Sequence, residues 1–180
     1  VTDPTKYVED IAELAKEHGF TLGAAESLTG GAVASALARG SEAAMWFHGG
    51  VVSYSRMVKY DVLGVTPGPL ISERCALEMC EGAARLLKVD CAVSTTGAGG
   101  PGPEEGHREG TLYVAVLVRG DVTVHRMEID GDPGEVVESA TEQALGLLLK
   151  AMTESVDRGD ADPGEPAPDA IAVSGDLTDD

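Results

Sequence analysis

The chain has 180 residues, 43% of them apolar, and a formal net charge of −18, a length that suits one domain with a buried core. Nine acids against the single base Arg158 fall in the last thirty residues, which leaves about −10 on residues 1–150, and a surface of that sign repels phosphate backbones and disfavours nucleic acid as a partner. No apolar run is long enough to span a bilayer, no signal-peptide layout opens the chain, and Cys75, Cys80 and Cys91 lack C-x-x-C spacing, so the expectation is three core thiols in a reducing, cytoplasmic setting with no membrane partner.

Residues 4–18 carry Val8, Ile11, Ala12, Leu14 and Ala15 at helical spacing and stop at Gly19. A strand is predicted over 20–26 and a helix over 27–38, with Arg39 and Gly40 as its end. Residues 41–48 hold the only tryptophan, Trp46, as a packing anchor in a short helical turn. Residues 49–55 read as a second strand and 56–65 as a short helix closed by Gly64, with a loop over 66–69. Ser72 begins a helix with Glu73 in its first turn and an apolar stripe of Cys75, Ala76, Met79, Cys80, Ala83, Leu86 and Leu87. Residues 90–97 are apolar nearly throughout, as a strand at a sheet centre is. The segment 97–110 is too rich in Gly and Pro for regular structure. Residues 111–118 and 122–129 form a hairpin about Arg119, Gly120 and Asp121. Asp132 as N-cap and Pro133 at the first helical position open a last helix over 133–152. From 153 to 180 the composition turns to Asp, Pro, Gly and Ala, an acidic tail expected to be disordered.

This order predicts one α/β domain over residues 1–152, a three-layer α/β/α sandwich on a mixed, mostly parallel sheet, with ligands at the carboxyl ends of strands. Three of those ends are rich in hydroxyls and glycine: Glu26-Ser27, Ser53-Tyr54-Ser55 and Ser94-Thr95-Thr96-Gly97. If the first three strands run parallel, all three meet on one edge.

The stretch 25–31, AESLTGG, stands where the first strand gives way to a helix. Amides at a helix start lack carbonyl partners and carry partial positive charge, so the turn is suited to an anion or oxyanion. Gly30 and Gly31 let a ligand approach the backbone, and Ser27 stands at the mouth. The plain alternative is helix capping without chemistry, since Ser and Thr are ordinary caps and a Gly pair is ordinary in a turn. A serine hydroxyl needs a base, and His18, His48, His107 and His125 sit at a helix end, before a strand, in the Gly-rich loop and in the hairpin, with no Ser–His–Asp pattern. Lys59 follows Tyr54 by five residues on the helix leaving the second strand end. Partly desolvated, its amine serves as a base toward serine, with Tyr54 orienting the pair; exposed, it is an ordinary helix lysine.

Four segments in unbroken order, AESLTGG, WFHGGVVSYSRMVK, STTGAGGPGP and GTLYVAV, closely resemble those of the CinA carboxy-terminal domain family, the bacterial nicotinamide-nucleotide amidases. The resemblance covers about residues 5–151. It implies an α/β domain that hydrolyses the carboxamide of nicotinamide mononucleotide to nicotinate mononucleotide and ammonia, with no metal or cofactor. It places the nucleophile on Ser27, the base on Lys59 and the assisting tyrosine on Tyr54, and matches the third strand-end hydroxyl to Thr96. Amides around Thr29, Gly30 and Gly97 then form the oxyanion hole. The loop from Gly97 through Gly99 and Gly100 to Gly102 wraps the ribose phosphate. The expected partner is a small nucleotide substrate, and relatives of this architecture self-associate, which makes a homo-oligomer an expectation too.

Two departures from the family pattern bear on the substrate. Where relatives carry Lys-Pro-Val-Gly, this chain has His107-Arg108-Glu109-Gly110. Where they carry arginines after a Gly-Asp, Gly131-Asp132 leads into Pro133, Gly134, Glu135, Val136, Val137 and Glu138. If those arginines hold the phosphate, a charged clamp is missing, with Arg108 or Arg126 as the candidate stand-ins. The alternatives are a different amide substrate, or a weak or inactive member acting as a nucleotide-binding or protein-interaction module.

Overall fold

In the computed structural model, which describes residues 4–159, the apolar run Leu22–Glu26 forms strand β1 and is buried at every position. A strand with no exposed residue needs a strand on each side and cover on both faces. It has both. The sheet order is β2-β1-β3-β4-β5, with β2 Phe47–Val52, β3 Cys91–Gly97, β4 Thr111–Val118 and β5 Asp121–Glu128. β1 pairs in parallel with β2 and β3, while β4 runs antiparallel to both of its neighbours. Four of the five strands therefore share one direction, and the sheet is mixed as expected.

Alternate residues of each strand feed two separate cores. Leu22, Ala24, Cys91, Val93, Leu112, Val114 and Val116 pack with α1 (Pro4–His18), α2 (Ala32–Leu37) and α5 (Pro133–Asp157). Ala25, Ala92 and Ala115 pack on the opposite face with α4 (Glu73–Leu87) and with Leu63 and Val65, which follow α3 (Arg56–Asp61). The result is the three-layer sandwich the sequence pattern calls for. Trp46 is fully buried just after a single 3-10 turn, Ala43–Met45, and its indole N–H donates to the Ser41 carbonyl at 3.0 Å. Among the described residues no helix is long and apolar enough to cross a membrane.

Several boundaries differ from the sequence expectation: β1 starts at Leu22 and not at 20, β2 at Phe47 and not at 49, and α3 ends at Asp61 and not at 65; three further differences have a clear local reason. The helix after β1 starts at Ala32, not at residue 27, because Gly30 and Gly31 take φ of 59° and 106°, outside the helical region. Strand β2 ends at Val52, before Ser53 and Ser55. Ser53 turns its amide to the Glu26 carbonyl at 2.7 Å, and Ser55 caps α3 by accepting from the Met57 amide at 3.2 Å. Helix α5 continues to Asp157, five residues past the expected boundary, with Met152 and Ser155 still buried. Its start matches expectation and is a full capping box of Asp132 and Glu135. The acidic stretch from residue 160 onward lies outside the described residues.

Helix α4 approaches the chain after α3 so closely that a Cβ on Gly82 would stand 2.2 Å from the Leu63 carbonyl oxygen. Gly82→Ala in a helix interior ordinarily gains up to about 1 kcal/mol from propensity. Here overpacking against backbone is expected to outweigh it, with a net loss of roughly 1–3 kcal/mol. A urea midpoint below that of the wild type checks this, and a raised midpoint refutes it.

Candidate active site

The parallel register places Ala25 beside Ser94 and Glu26 beside Thr95, so Ser27, the first residue past β1, follows in line with Thr96, which is still within β3. Because side chains alternate along a strand, Ser27 shares the α4 face with Ala25, and Glu26 turns to the α2 face. Lys59, on α3, is only 2% exposed. Its Nζ lies 3.0 Å from Ser27 Oγ and also donates to the Ser53 carbonyl. Ser53 is itself fixed, since both its amide and its hydroxyl donate to the Glu26 carbonyl, at 2.7 and 3.2 Å. The ends of β1 and β2 thus hold the amine against the hydroxyl.

Burial disfavours the ammonium form and pushes the Lys59 amine below its usual range. The neighbouring Cys75, Glu104 and Glu105 pull the other way. The Cys75 thiol is raised by its own burial to about 11. A lysine whose ammonium form is disfavoured by burial, next to a serine hydroxyl, is better suited to take its proton than an exposed one.

The other residues singled out from sequence divide into those this arrangement gathers and those it does not. Thr96 is buried and its hydroxyl donates to the Leu70 carbonyl at 2.7 Å. The Thr29 hydroxyl lies 2.7 Å from that of Thr95, on the α2 face. Tyr54 is 70% exposed, and among the described residues its hydroxyl makes no hydrogen bond, so the group that orients Lys59 is the Ser53 carbonyl instead. The Gly30 amide is spent on the Ser27 carbonyl at 3.1 Å and the Gly31 amide on Glu26 at 3.0 Å. Neither is free for an oxyanion. Among the described residues, the Leu28 and Thr29 amides are the two of this turn without a partner.

Gly97 approaches β4 so closely that a Cβ would lie 2.3 Å from the Thr111 carbonyl oxygen, and a Cβ on Gly99 would lie 3.6 Å from Leu28 Cβ. The glycine loop therefore rests on the Ser27 turn. Its Gly102 amide donates to the Glu109 carboxylate at 2.7 Å, and Gly100 also faces Glu109, so part of the expected phosphate cradle already holds an anion. The two candidate stand-in arginines are engaged as well. Arg108 pairs with Glu128 at 2.7 Å and Asp130 at 2.8 Å, and Arg126 pairs with Glu128 at 2.7 Å.

Three contributors have roles that the sequence does not signal. Ser53 acts through its backbone. Glu105 accepts from the Leu70 and Ile71 amides at 2.7 and 2.9 Å, tying the glycine-rich loop to the segment that carries the Thr96 partner. Glu26 fills the start of α2, the place expected to receive an anion, with its own carboxylate. Among the described residues no three of His, Cys, Asp and Glu converge as metal ligands. The cleft between α2 and the start of α5, lined by Ser35, Arg39, Asp130, Glu135, Glu138 and Glu142 among others, contains neither Ser27 nor Lys59.

Comparison with known proteins bears on the family and the fold. A family model described as the CinA C-terminal domain matches residues 4–152. A putative competence-damage inducible protein of Geobacillus kaustophilus is 41% identical over 157 residues, covering 83% of this chain and 37% of its own length. The protein of that name from Bacillus subtilis is 34% identical, covering 84% and 38%. This chain therefore spans under two fifths of those relatives. Among solved structures, a competence-damaged protein (CinA) superfamily protein from Klebsiella pneumoniae superposes with a TM-score of 0.81 at 31% identity, covering 85% of this chain and 99% of that one.

The lowered Lys59 amine has a consequence for stability. The unfolded chain holds the lysine proton up to about 10.5, whereas the native state releases it at lower pH, so stability rises with pH across that window. Replacing the amine by Lys59→Met is expected to raise the denaturation midpoint at neutral pH. The gain over wild type should shrink as pH climbs toward 10.5, and a pH-independent difference, or one that grows, refutes the burial of the amine.

Proposed function

We propose, for a chain that belongs to the CinA C-terminal domain family, that it hydrolyses the carboxamide of nicotinamide mononucleotide to nicotinate mononucleotide and ammonia, with Ser27 as nucleophile and Lys59 as base. The observation that carries this reading is the contact of a buried lysine amine with a serine hydroxyl, 3.0 Å apart at the carboxyl edge of the sheet. In the neutral amine one N–H is engaged by the Ser53 carbonyl, which leaves the lone pair to face the hydroxyl. Lys59 takes the Ser27 proton as Oγ bonds to the amide carbon, and the carbonyl electron pair moves to oxygen as an oxyanion. Collapse breaks the C–N bond while Lys59 returns the proton to the leaving nitrogen. A water deprotonated by Lys59 then attacks the acyl ester, and as the ester C–O bond breaks Lys59 passes that proton to Ser27 Oγ, freeing the carboxylic acid product and the enzyme. The substrate identity comes from the family resemblance. The chemistry comes from the residues.

Release of ammonia from nicotinamide mononucleotide tests the proposal. Ser27→Ala and Lys59→Ala are each expected to lower kcat/KM roughly a thousandfold or more. The wild-type value should rise with pH through the folded-state pKa of Lys59, below 10.5. Exposed and unbonded through its hydroxyl, Tyr54 offers its ring to the substrate. Tyr54→Phe should therefore leave kcat within about threefold, while Tyr54→Ala raises KM.

The engagement of Arg108 and Arg126 with Glu128 and Asp130, and of the glycine loop with Glu109, favours a second reading. Here the preferred amide carries no phosphate, or the protein only binds nucleotides or a protein partner. Faster turnover of nicotinamide riboside than of the mononucleotide selects the first of these. Equal and negligible ammonia release from wild type, Ser27→Ala and Lys59→Ala, with ligand binding retained, selects the second.

A further inference from the structure

One residue before the nucleophile, Glu26 is a carboxylate only 1% exposed and bound to backbone alone. Its Oε2 accepts from the Gly31 and Val33 amides at 3.0 and 3.1 Å, and its Oε1 from the Ala34 amide at 2.7 Å. A buried carboxylate held this way is stabilised by oriented amides in place of a cation. The bonds also tie position 26 to positions 31, 33 and 34, so the turn between them is closed at both ends.

Within that closed turn the Ser27 amide donates to the Thr95 carbonyl at 3.0 Å and the Gly30 amide to the Ser27 carbonyl at 3.1 Å, while the Thr29 side chain is pinned to Thr95. The Leu28 and Thr29 amides are left, in a segment whose every other anchor is satisfied. The amide following a nucleophilic serine is a natural oxyanion donor, because it lies within one peptide unit of the attacking oxygen. Such donors act only if their direction is set in advance.

We propose that Glu26 is a positioning residue. Its carboxylate locks the turn 27–31 from the opposite face of the sheet and so fixes the Leu28 and Thr29 amides as the oxyanion donors for attack by Ser27. This rests on the Ser–Lys amidase reading. Glu26→Gln preserves size but replaces one acceptor oxygen by an NH2 group that faces an amide donor, so at least one of the three bonds is lost.

The test uses the full chain with whichever pyridine carboxamide the wild type turns over, nicotinamide mononucleotide or its riboside. Pyridine-3-carboxaldehyde serves as the probe of the tetrahedral state: Ser27 Oγ bonds to the aldehyde carbon, the hydroxyl proton passes to Lys59 and the carbonyl pair becomes the oxyanion. Misplaced donors act on the transition state alone. Glu26→Gln is therefore expected to lower kcat about a hundredfold, to leave KM within about twofold, and to weaken the aldehyde by a factor comparable to the loss in kcat. The acid limb of the pH profile, set by Lys59, should stay in place.

An unchanged kcat, a loss carried by KM, unaltered aldehyde inhibition or a shifted acid limb overturns the proposal. If the Gln variant does not fold, Glu26→Asp, which keeps the charge one methylene short of the three amides, is expected to show the same kcat-selective loss. A folded Asp variant with wild-type kcat overturns it equally. Loss of activity in Ser27→Ala without loss in Glu26→Gln removes this inference and leaves the amidase reading. A wild type no more active than Ser27→Ala, and indifferent to the aldehyde, removes both.

Discussion

A lysine amine kept from water between the ends of two parallel strands is the constraint to which the rest of the structure answers. Burial there disfavours the ammonium form, so each polar contact that the amine retains needs a partner. Ser27 Oγ and the Ser53 carbonyl are those partners. The carbonyl stays aimed at the amine because Ser53 is bonded twice to the last residue of β1. Parallel pairing of β1 with β2, and the capped start of α3 at Ser55, follow from the same need: each brings one side of the amine's cage to a common rim.

The two faces of the sheet divide the work at that rim. Alternation sends Ser27 and Thr96 toward α4 and Glu26 and Thr95 toward α2, and each set forms its own polar cluster. On the first face the cluster is reactive, since it ends in a hydroxyl with a base beside it. On the second it is saturated, with the Glu26 carboxylate on three amides and two threonine hydroxyls on each other. A single peptide unit separates them, so rigidity built on one face is transmitted to the other through backbone alone.

Much of this was legible in the sequence, because long apolar periodicities leave little choice. Helix α4, the buried strand β3 and the Asp132–Pro133 start of α5 all follow from pattern and capping chemistry. The convergence of hydroxyl-rich strand ends was visible too, and with the family resemblance it led to Ser27 and Lys59, which no spacing rule links across thirty-two positions. What stayed hidden acts through the backbone or through long-range register. The Ser53 carbonyl and the Leu28 amide have no side-chain signal. The late start of α2 depends on two positive φ angles that a Gly pair permits but does not require. The capture of Arg108 by Glu128 and Asp130 depends on how β5 and the turn after it align with the end of the glycine-rich loop, which an alternating pattern does not specify. Tyr54 sits in the matching segment, yet its outward orientation is decided by the strand ending two residues earlier.

The acids around the site act in the same sense on its two tasks. Glu104 and Glu105 raise the Lys59 pKa against the pull of burial, which favours the ammonium form and opposes its use as a base. The same negative field opposes an anionic substrate, and so does Glu109 where it occupies the Gly102 amide. Arg108 and Arg126 would offset that field, but each is neutralised by a carboxylate within 2.7 Å. Negative charge at this rim thus opposes both the free amine and the hold on phosphate. For a phosphorylated amide the binding energy has to come from groups outside those pairs, whereas a neutral or cationic amide meets no such opposition.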